Sequence, residues 1–316
     1  MAVIGPPPGQ LDLGLPSGVE VKWLTPHDSL ELPPLWMLMP CVLIAALLFS
    51  CALGALLGPQ RTPFSGSLKS AAASRAVVAL IVAHPDDEAM FFWPTLLQLH
   101  AAGVPLCVLC LCTGNYDGLG EIRAAEMRRS CARVGVKGDN LVVLDVDELQ
   151  DGWCTWPEDV VAHHVVSFLR DRQAQVVLTF DELGVSGHPN HVSTCKGVCR
   201  AKLGAGGSRG YELLLLESIG LPWKYLGALP LLLGASAPDS DRTSPIAATC
   251  TCSSPVACYR AMVAHWSQLV WYRVLFAVFS RYAYVNSYVR HASSPVASSD
   301  ASSGLGEGAA VTLRRR

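Results

Sequence analysis

Two short clusters of histidine and carboxylate side chains, about a hundred residues apart, have the composition of a catalytic site. The first cluster, residues 84–88 (His-Pro-Asp-Asp-Glu), directly follows the apolar run 76–83. The second, residues 187–191 (Gly-His-Pro-Asn-His), comes shortly after the apolar run 176–180. Short, uncharged, β-branched runs are typical of buried strands. Because the carboxyl ends of strands in an open α/β sheet are where ligands bind, we expect the two clusters to meet there.

Three of these side chains have the types and the spacing of metal ligands. His84 and Asp87 are separated by one turn at the start of a predicted helix, so both can face one ion, and His191 can complete the set. Nitrogen and carboxylate ligands suit zinc, with iron(II) and manganese as alternatives. Three protein ligands leave coordination positions open, which is typical of a catalytic metal site rather than a structural one.

The clusters also contain two side chains for proton transfer. Asp86 diverges from its neighbour Asp87 and cannot easily share the same ion, so it is free to accept a proton from a water molecule. His188 can stabilise an oxyanion or protonate a leaving amine. A metal that lowers the pKa of bound water to about 7, together with these two groups, is suited to amide hydrolysis.

A non-catalytic interpretation of the same residues is that they terminate secondary structure. Asp86 and Asp87 could act as first-turn carboxylates of the following helix, and His84 could close the edge of the sheet. Two clusters with one chemical meaning favour the metal site. The sequence has no Gly-x-Gly-x-x-Gly after the first strand, no P-loop motif and no nucleophile elbow, so we expect no nucleotide cofactor.

The composition favours an enzyme attached to a membrane. Of the 316 residues, 51% are hydrophobic and 16% charged, and the mean hydropathy is +0.33. These values are too apolar for an ordinary soluble enzyme and too polar for a multi-pass membrane protein. The net charge of −2 gives no basic surface field, so we expect no nucleic-acid partner. The cysteines lack paired zinc-ribbon spacing and are expected to be mostly reduced, with a disulfide among Cys250, Cys252 and Cys258 as the alternative.

The residues before the first strand contain one candidate membrane anchor. Residues 1–34 are rich in proline and glycine and are predicted to be disordered, whereas the uncharged residues 35–57 are long enough for a transmembrane helix. Residues 58–74 are interpreted as a linker. Three basic residues closely follow the predicted helix and only Lys22 precedes it, so the positive-inside rule places the rest of the chain in the cytosol.

Residues 75–291 are interpreted as the catalytic domain, because apolar runs alternate there with helical segments. Five predicted strands alternating with helices indicate an α/β fold with a parallel sheet and helices on both faces. The strands are predicted at residues 76–83, 104–112, 141–146, 176–180 and 211–216, and the helices at residues 88–102, 121–134, 158–170 and 192–203.

The C-terminal part of the chain has a weaker pattern. Residues 235–254 are predicted to form a loop. Residues 260–290 are apolar and aromatic with four arginines, which favours equally a core helix packed on the sheet and an interfacial helix on a membrane. A second transmembrane helix is a weaker third interpretation, because arginines interrupt the segment. Residues 292–316 are predicted to be a disordered tail.

Several motifs taken together resemble a known enzyme family. Residues 81–92 (IVAHPDDEAMFF), the Gly-Asn-Tyr at 114–116 and residues 177–191 (VLTFDELGVSGHPNH) resemble the LmbE-like metal-dependent de-N-acetylases. The similarity is greatest to the eukaryotic branch, the N-acetylglucosaminylphosphatidylinositol de-N-acetylases of the PIG-L type. It extends to residues 121–126 and 265–282 and covers most of the predicted catalytic domain.

The resemblance implies a role for each site residue. It implies that His84, Asp87 and His191 bind a divalent metal ion, which we expect to be zinc. It also implies that Asp86 is the general base and that His188 assists the oxyanion and the leaving group. Supporting roles, in substrate binding or in holding the ligands, are implied for Glu88, Asn115, Arg123, Glu126 and Asn190. Many bacterial relatives have aspartate at the position of Asn190, so a carboxylate hydrogen bond is expected to be missing here.

The same resemblance implies a Rossmann-like fold and an activity. The expected reaction removes the acetyl group of N-acetylglucosaminyl-phosphatidylinositol, the second step of glycosylphosphatidylinositol (GPI) anchor synthesis, at the cytosolic face of the endoplasmic reticulum. The expected partners are this membrane-embedded glycolipid and the bilayer. Two alternatives are a de-N-acetylase of a soluble N-acetylglucosaminide and a non-catalytic membrane adaptor with the same fold. The predicted anchor argues against the first, and the intact set of ligands against the second.

Overall fold

The computed structural model describes residues 64–204, 210–227, 229, 245–252 and 255–291, together with isolated positions between 45 and 52. The predicted disordered segment 1–34, nearly all of the predicted transmembrane helix 35–57 and the predicted tail 292–316 lie outside the described residues. None of the described helices combines the length and the apolar composition that a membrane crossing requires.

A seven-stranded sheet forms the centre of the fold. Its strands are β1 Val78–Val82, β2 Leu106–Cys110, β3 Leu141–Val143, β4 Val176–Phe180, β5 Glu212–Leu216, β6 Ile246–Thr251 and β7 Val285–Arg290. They lie in the order β3-β2-β1-β4-β5-β7-β6. The first five strands are parallel, and β7 pairs antiparallel with both β5 and β6. Every residue of β1, β2 and β4 is buried, as expected for parallel strands that are covered on both faces.

Helices flank the sheet in two groups. The described helices are α1 Gly66–Ser74, α2 Asp87–Met90, α3 Trp93–Ala101, α4 Gly120–Ala132, α5 Glu158–Arg172, α6 Gly184–Gly187, α7 Pro189–Gly204, α8 Leu221–Lys224, α9 Pro255–Ala264 and α10 Trp271–Phe279. Right-handed crossovers place α3 and α4 on one face, because the chain moves from β1 through β2 to β3. They place α5 and α7 on the other face, because the chain then moves across to β4 and β5. The contacts agree, since α5 packs on α7 and α9 packs on α3 and α4.

The predicted α/β fold with a mostly parallel sheet is confirmed, because all five predicted strands are present in parallel pairing. The prediction of a loop over residues 235–254 was wrong for β6, which forms the edge of the sheet. Only four of its residues, 248–251, alternate between buried apolar and less buried polar side chains. Edge strands with mixed exposure give a weak sequence signal.

The single helix predicted over residues 260–290 was also wrong. The segment contains the end of α9, a 3-10 turn at Trp266–Gln268, α10, a second 3-10 turn at Arg281–Ala283 and finally β7. Strand β7 was not predicted because it contains buried polar side chains, which break the apolar pattern of a core strand. Asn286 is buried because it donates to the carbonyl oxygen of Phe91 at 2.7 Å and accepts from the Thr95 hydroxyl at 2.8 Å. Helix α10 buries Phe276 against the core, whereas Trp271 at its start is 65% exposed.

Two smaller differences concern element boundaries, whereas the described cysteines are reduced as expected. The predicted linker 58–74 ends in α1, whose Leu68 is fully buried in the core, although its alanine- and serine-rich sequence resembles a linker. The helix predicted over residues 88–102 is divided into α2 and α3 by a turn at Phe91 and Phe92. Cys250 and Cys258 are free thiols, so the alternative of a disulfide in that group is not observed.

Candidate metal-dependent active site

The first cluster forms a tight turn at the carboxyl end of β1. Asp87 is the first residue of α2, and its Oδ2 accepts backbone hydrogen bonds from Ala83 at 3.1 Å and from His84 at 2.8 Å. The second cluster follows β4, which is the neighbouring strand of β1. Both clusters therefore lie where the direction of the strand order reverses, which is the usual ligand-binding crevice of such sheets.

The predicted ligand atoms of His84, Asp87 and His191 converge at this crevice. His84 Nδ1 lies 3.3 Å from His191 Nε2, and Asp87 Oδ1 lies 3.2 Å from the same His191 atom. Asp87 Oδ2 is 3.7 Å from His84 Nδ1. Ligands at about 2.0–2.1 Å from a tetrahedral zinc ion are separated by roughly 3.3 Å from one another. The three buried side chains therefore have the spacing that one small divalent cation requires.

Hydrogen bonds on the far side of each imidazole determine which nitrogen faces the crevice. His191 Nδ1 lies 3.0 Å from the Gly184 carbonyl oxygen, which can only accept, so Nδ1 donates and Nε2 keeps a lone pair. His84 Nε2 lies 3.2 Å from Asp151 Oδ1, so Nε2 donates and Nδ1 keeps a lone pair. Two nitrogen lone pairs and a carboxylate face one another, and a bound cation is what stabilises such an arrangement.

The surrounding charges favour an ionised Asp87. Burial alone would raise the pKa of Asp87, but the charge and hydrogen bond of His191, followed by His84, lower it well below its usual range. Burial alone would lower the pKa of His84, but the hydrogen bond to Asp151 and the charge of Asp87 raise it. The crevice therefore attracts positive charge.

A second set of donors overlaps the first. One ring nitrogen each of His84, His188 and His191 lie within 4.8 Å of one another, close enough to hold a metal ion. The set that contains Asp87 is tighter, with separations of 3.2–3.7 Å. Both sets share His84 and His191 and differ only in the third donor.

Asp86 occupies the same turn in an unusual backbone conformation. Its φ is 143°, a region that favours glycine and costs other residues about 1–3 kcal/mol. The side chain is buried, and its Oδ2 lies 2.5 Å from Arg273 Nη1 and 3.8 Å from Arg123 Nη2. The surrounding structure therefore holds a carboxylate between two guanidinium groups, beside the predicted metal ligands.

His188 lies on the opposite side of the crevice, at the end of α6. Its Nδ1 accepts a hydrogen bond from the backbone amide of Asn190 at 3.3 Å, so in the neutral ring Nε2 carries the proton. Burial, followed by the positive charges of His84 and His191, lowers the pKa of His188 to about 4. The ring packs edge-on against His84 and Trp153, at centroid distances of 5.0 and 4.9 Å. The structure thus presents a neutral N–H donor next to the ligands.

The carboxylate that was expected to be missing near Asn190 is supplied by another residue. Asp151 Oδ1 contacts His84 Nε2 at 3.2 Å, while Asp151 Oδ2 contacts Arg123 Nη1 at 3.1 Å. Asn190 Oδ1 lies 3.0 Å from the same His84 nitrogen, and its amide donates to the Cys154 carbonyl oxygen at 2.7 Å. His84 is therefore oriented by a carboxylate and an amide together, and the expectation based on Asn190 alone was wrong.

Glu88 holds the turn from inside the protein. Its Oε1 lies 2.6 Å from His265 Nε2, and its Oε2 accepts a hydrogen bond from the backbone amide of Asp86 at 3.2 Å. Both side chains of the pair are fully buried. Burial alone would lower the pKa of His265, but the charge and hydrogen bond of Glu88 raise it. The pair is therefore a buried ionic contact that supports the backbone at Asp86.

The other predicted supporting residues lie at different distances from the crevice. Arg123 joins Asp151, Asp86 and the Gly114 carbonyl oxygen, to which it donates at 2.7 Å. Glu126 instead accepts from the amide and hydroxyl of Ser267, at 2.8 and 2.7 Å, and fixes the turn after α9. Asn115 is exposed and caps α4 through the Gly120 amide at 2.9 Å. Of these three residues, Arg123 alone contacts the Asp86 carboxylate.

The sequence analysis did not assign a role to four residues that reach the site. They are Asp151, His265, Gln268 and Arg273. Gln268 donates to the Pro85 carbonyl oxygen at 2.9 Å and accepts from Arg273 at 3.1 Å. It therefore links Arg273 to the turn that contains Pro85. The His-Trp-Ser-Gln motif at 265–268 was a signal for two of them, whereas Asp151 lies in a loop with no ligand-like spacing.

Comparisons with known proteins agree with this geometry. The family model described as PIG-L, GlcNAc-PI de-N-acetylase, matches residues 79–202, which include both clusters. A 1D-myo-inositol 2-acetamido-2-deoxy-alpha-D-glucopyranoside deacetylase of Thermobifida fusca is 28% identical over 150 residues, covering 39% of this chain and 52% of that protein.

Two eukaryotic relatives are similar over a longer stretch. The N-acetylglucosaminyl-phosphatidylinositol de-N-acetylase of Bos taurus is 38% identical over 212 residues, covering 66% of this chain and 81% of that protein. A probable N-acetylglucosaminyl-phosphatidylinositol de-N-acetylase of Dictyostelium discoideum is 31% identical over 238 residues, covering 67% of this chain and 92% of its own length. With this identity over nearly the whole relative, the chain belongs to the GlcNAc-PI de-N-acetylase family.

Proposed function

We propose that this chain hydrolyses the acetamide of N-acetylglucosaminyl-phosphatidylinositol to acetate and glucosaminyl-phosphatidylinositol, the second step of GPI anchor synthesis. The observation that carries the proposal is the convergence of His84, Asp87 and His191 at 3.2–3.7 Å, with Asp86 on the same turn. The named activities of the Bos taurus and Dictyostelium discoideum relatives support the choice of substrate.

His84, Asp87 and His191 would hold a divalent cation, for which zinc is the best match to two imidazoles and one carboxylate. When bound, such an ion polarises a carbonyl group and lowers the pKa of a water molecule. Asp151 and Asn190 hold the ring of His84, and Gly184 holds the ring of His191, so neither imidazole can turn away from the crevice.

The protein side chains manage the proton and the developing charge. Asp86 accepts a proton from the water whose oxygen adds to the acetamide carbon. The Nε2–H of His188 donates a hydrogen bond to the oxyanion that forms on the carbonyl oxygen. The proton that Asp86 accepted is then passed to the amine nitrogen, the carbon–nitrogen bond breaks, and acetate leaves.

The cellular setting is also part of the proposal. The uncharged residues 35–57 anchor the chain in the endoplasmic reticulum membrane, and the catalytic domain faces the cytosol, in line with the basic residues that follow the segment. The substrate stays in the bilayer, so anchoring raises its effective concentration at the enzyme. The partners are then the glycolipid and the bilayer.

The test is acetate release from N-acetylglucosaminyl-phosphatidylinositol by detergent-purified protein, before and after chelation and after zinc is restored. We expect activity to be lost on chelation and recovered with zinc. Asp86→Asn should reduce turnover by about 10²–10⁴-fold while the bound metal is retained. A folded, metal-loaded protein that releases no acetate would refute the proposal.

A second candidate substrate is a soluble N-acetylglucosaminide. The similarity to the Thermobifida fusca deacetylase of an inositol glycoside favours it. Faster turnover of N-acetylglucosaminyl-inositol than of the lipid-linked substrate would select this alternative. A folded protein that is inactive on both substrates would instead favour a non-catalytic membrane adaptor.

A further inference from the structure

A groove with mostly aromatic walls opens beside the catalytic turn. We call it the aromatic groove, and its lining residues are Met90, Tyr225, Trp271, Tyr272, Arg273, Leu275, Phe276 and Phe279. Its volume is about 520 Å³, within the range of sites that bind small organic molecules. Helix α10 contributes most of the wall, and Tyr225 faces it from the segment after α8, with its ring 6.4 Å from that of Phe276.

The aromatic groove adjoins the proposed catalytic residues. Arg273 lines it and also places Nη1 2.5 Å from Asp86 Oδ2. Met90, on its other side, ends the short helix α2 that begins with Asp87. Phe91 connects its floor to the ligands, since its ring lies 5.5 Å from Phe276 and 5.8 Å from His191. The groove and the crevice are therefore neighbouring sites, which contact each other through Arg273 and Phe91.

The rim of the groove carries large aromatic side chains that are exposed rather than buried in the core. Trp271 is 65% exposed and Tyr272 is 55% exposed, and Trp266 on the preceding turn is 72% exposed. Isolated exposed apolar residues are common, but a contiguous group of large aromatics beside a cavity marks a binding surface. Tryptophan and tyrosine are also the residues that occupy the boundary between water and lipid.

The charge of the groove changes along its length. Among its described lining residues Arg273 is the only charged one, and it lies at the end next to Asp86, whereas the rest of the wall is apolar or aromatic. A ligand that fits this pattern has a neutral polar end for the crevice, then an anionic group, then a long apolar part. Guanidinium groups bind phosphate oxygens well.

We propose that the aromatic groove binds the phosphatidylinositol part of the substrate, with the phosphodiester near Arg273 and the acyl chains along Trp271, Tyr272 and Phe276. The inference rests on the proposed function, because it names the site that distinguishes a lipid-linked substrate from a soluble one. The acetamide then reaches the ligands from the Arg273 end of the groove.

The test compares two ligands in the purified full chain. The first is N-acetylglucosaminyl-phosphatidylinositol, for which KM and kcat are measured in detergent micelles. The second is its water-soluble head group, N-acetylglucosaminyl-inositol phosphate, for which Ki is measured as a competitor of the lipid substrate. The variant is the double substitution Trp271→Ser and Tyr272→Ser, because both side chains are more than half exposed.

We expect the double variant to raise KM for the lipid substrate at least tenfold, while Ki for the head group changes less than twofold. Trp271→Phe with Tyr272→Phe should restore most of the affinity, because it restores the apolar surface. Leu203→Ser is the matched control, since Leu203 is 56% exposed and lies twelve residues beyond His191 on α7, about 18 Å away.

Three results would overturn the inference. They are an unchanged KM, a rise of Ki in parallel with KM, and a shift in oligomeric state that accounts for the loss, which would assign the groove to a second copy of the chain. Failure of the proposed function is distinguishable, because the unmodified protein would then release no acetate from the lipid substrate at all.

Discussion

Asp86 belongs to the turn after β1, and the distant segment 265–281 also contacts it. These two regions are held in place in different ways. The turn is held by neighbours in sequence, through the backbone hydrogen bonds of Ala83 and His84 to Asp87. The segment reaches Asp86 from more than 170 residues away: Arg273 contacts its carboxylate, and the His265–Glu88 pair holds its backbone amide through Glu88. The difference teaches that the placement of His84 and Asp87 is encoded locally, whereas the approach of His191, the electrostatic support of Asp86 and the adjoining groove depend on the completed fold.

The largest expected effect separates the two regions by metal content. His84→Ala should remove both the bound metal and turnover, the latter by about 10³-fold or more, because it deletes one of three converging donors. Asp87→Ala should behave in the same way, whereas His188→Ala should keep the metal and lose about 10²–10³-fold in turnover. Metal analysis and acetate release measure the two effects.

This prediction also decides between the two overlapping donor sets. If His188→Ala loses the metal while Asp87→Ala keeps it, the three-histidine set is the true ligand group. The stated assignment would then be wrong.

The second prediction breaks the contact between the two regions. Glu88→Gln leaves His265 without its buried anionic partner, so we expect the free energy of unfolding to fall by about 3–5 kcal/mol. Urea denaturation of the purified protein measures this. The control is Arg200→Ala, which removes an exposed ion pair with Asp159 and should have little effect. Equal stability of Glu88→Gln and the unmodified protein would show that the pair does not join the regions.

The third prediction concerns a residue that supports a ligand without touching the crevice. Asp151→Asn should weaken zinc affinity or turnover by about 10–100-fold, because Asp151 orients His84 through Nε2 and also positions Arg123. Zinc titration into the apoprotein measures the change. Asp171→Asn, an exposed carboxylate on α5, should leave zinc affinity unaltered. An unaltered affinity in Asp151→Asn would mean that Asn190 alone orients the ring.

The smallest expected effect concerns backbone strain at Asp86, in the turn after β1. Asp86→Gly and Asp86→Ala both remove the carboxylate and should both be inactive. Since φ at this position is 143°, the glycine variant should nevertheless be more stable than the alanine variant by about 1 kcal/mol. Thermal or urea unfolding compares them. Greater stability of the alanine variant would show that the turn relaxes once its carboxylate is gone.

The features that could be predicted from the sequence are those that depend on residues close together in the chain, and the features that could not are those that depend on tertiary contacts. The five parallel strands were visible because each is a short and largely apolar run. The two clusters were visible because each follows its strand within a few residues. Strand β7 was not visible, because Asn286 and Ser287 are polar residues that are buried by hydrogen bonding. Asp151 and Arg273 were not visible either, because their partners are set by the tertiary fold.

The position of β7 has a consequence for synthesis of the protein. It is the last described strand to leave the ribosome, yet it lies between β5 and β6 in the sheet. Until residues 285–290 emerge, β5 has an unpaired edge, and unpaired edges are templates for association with other chains. At translation rates of about 5–20 residues per second, this exposure is brief in a complete chain. A premature stop before residue 285 makes it permanent, so we expect such a product to aggregate rather than to keep partial activity.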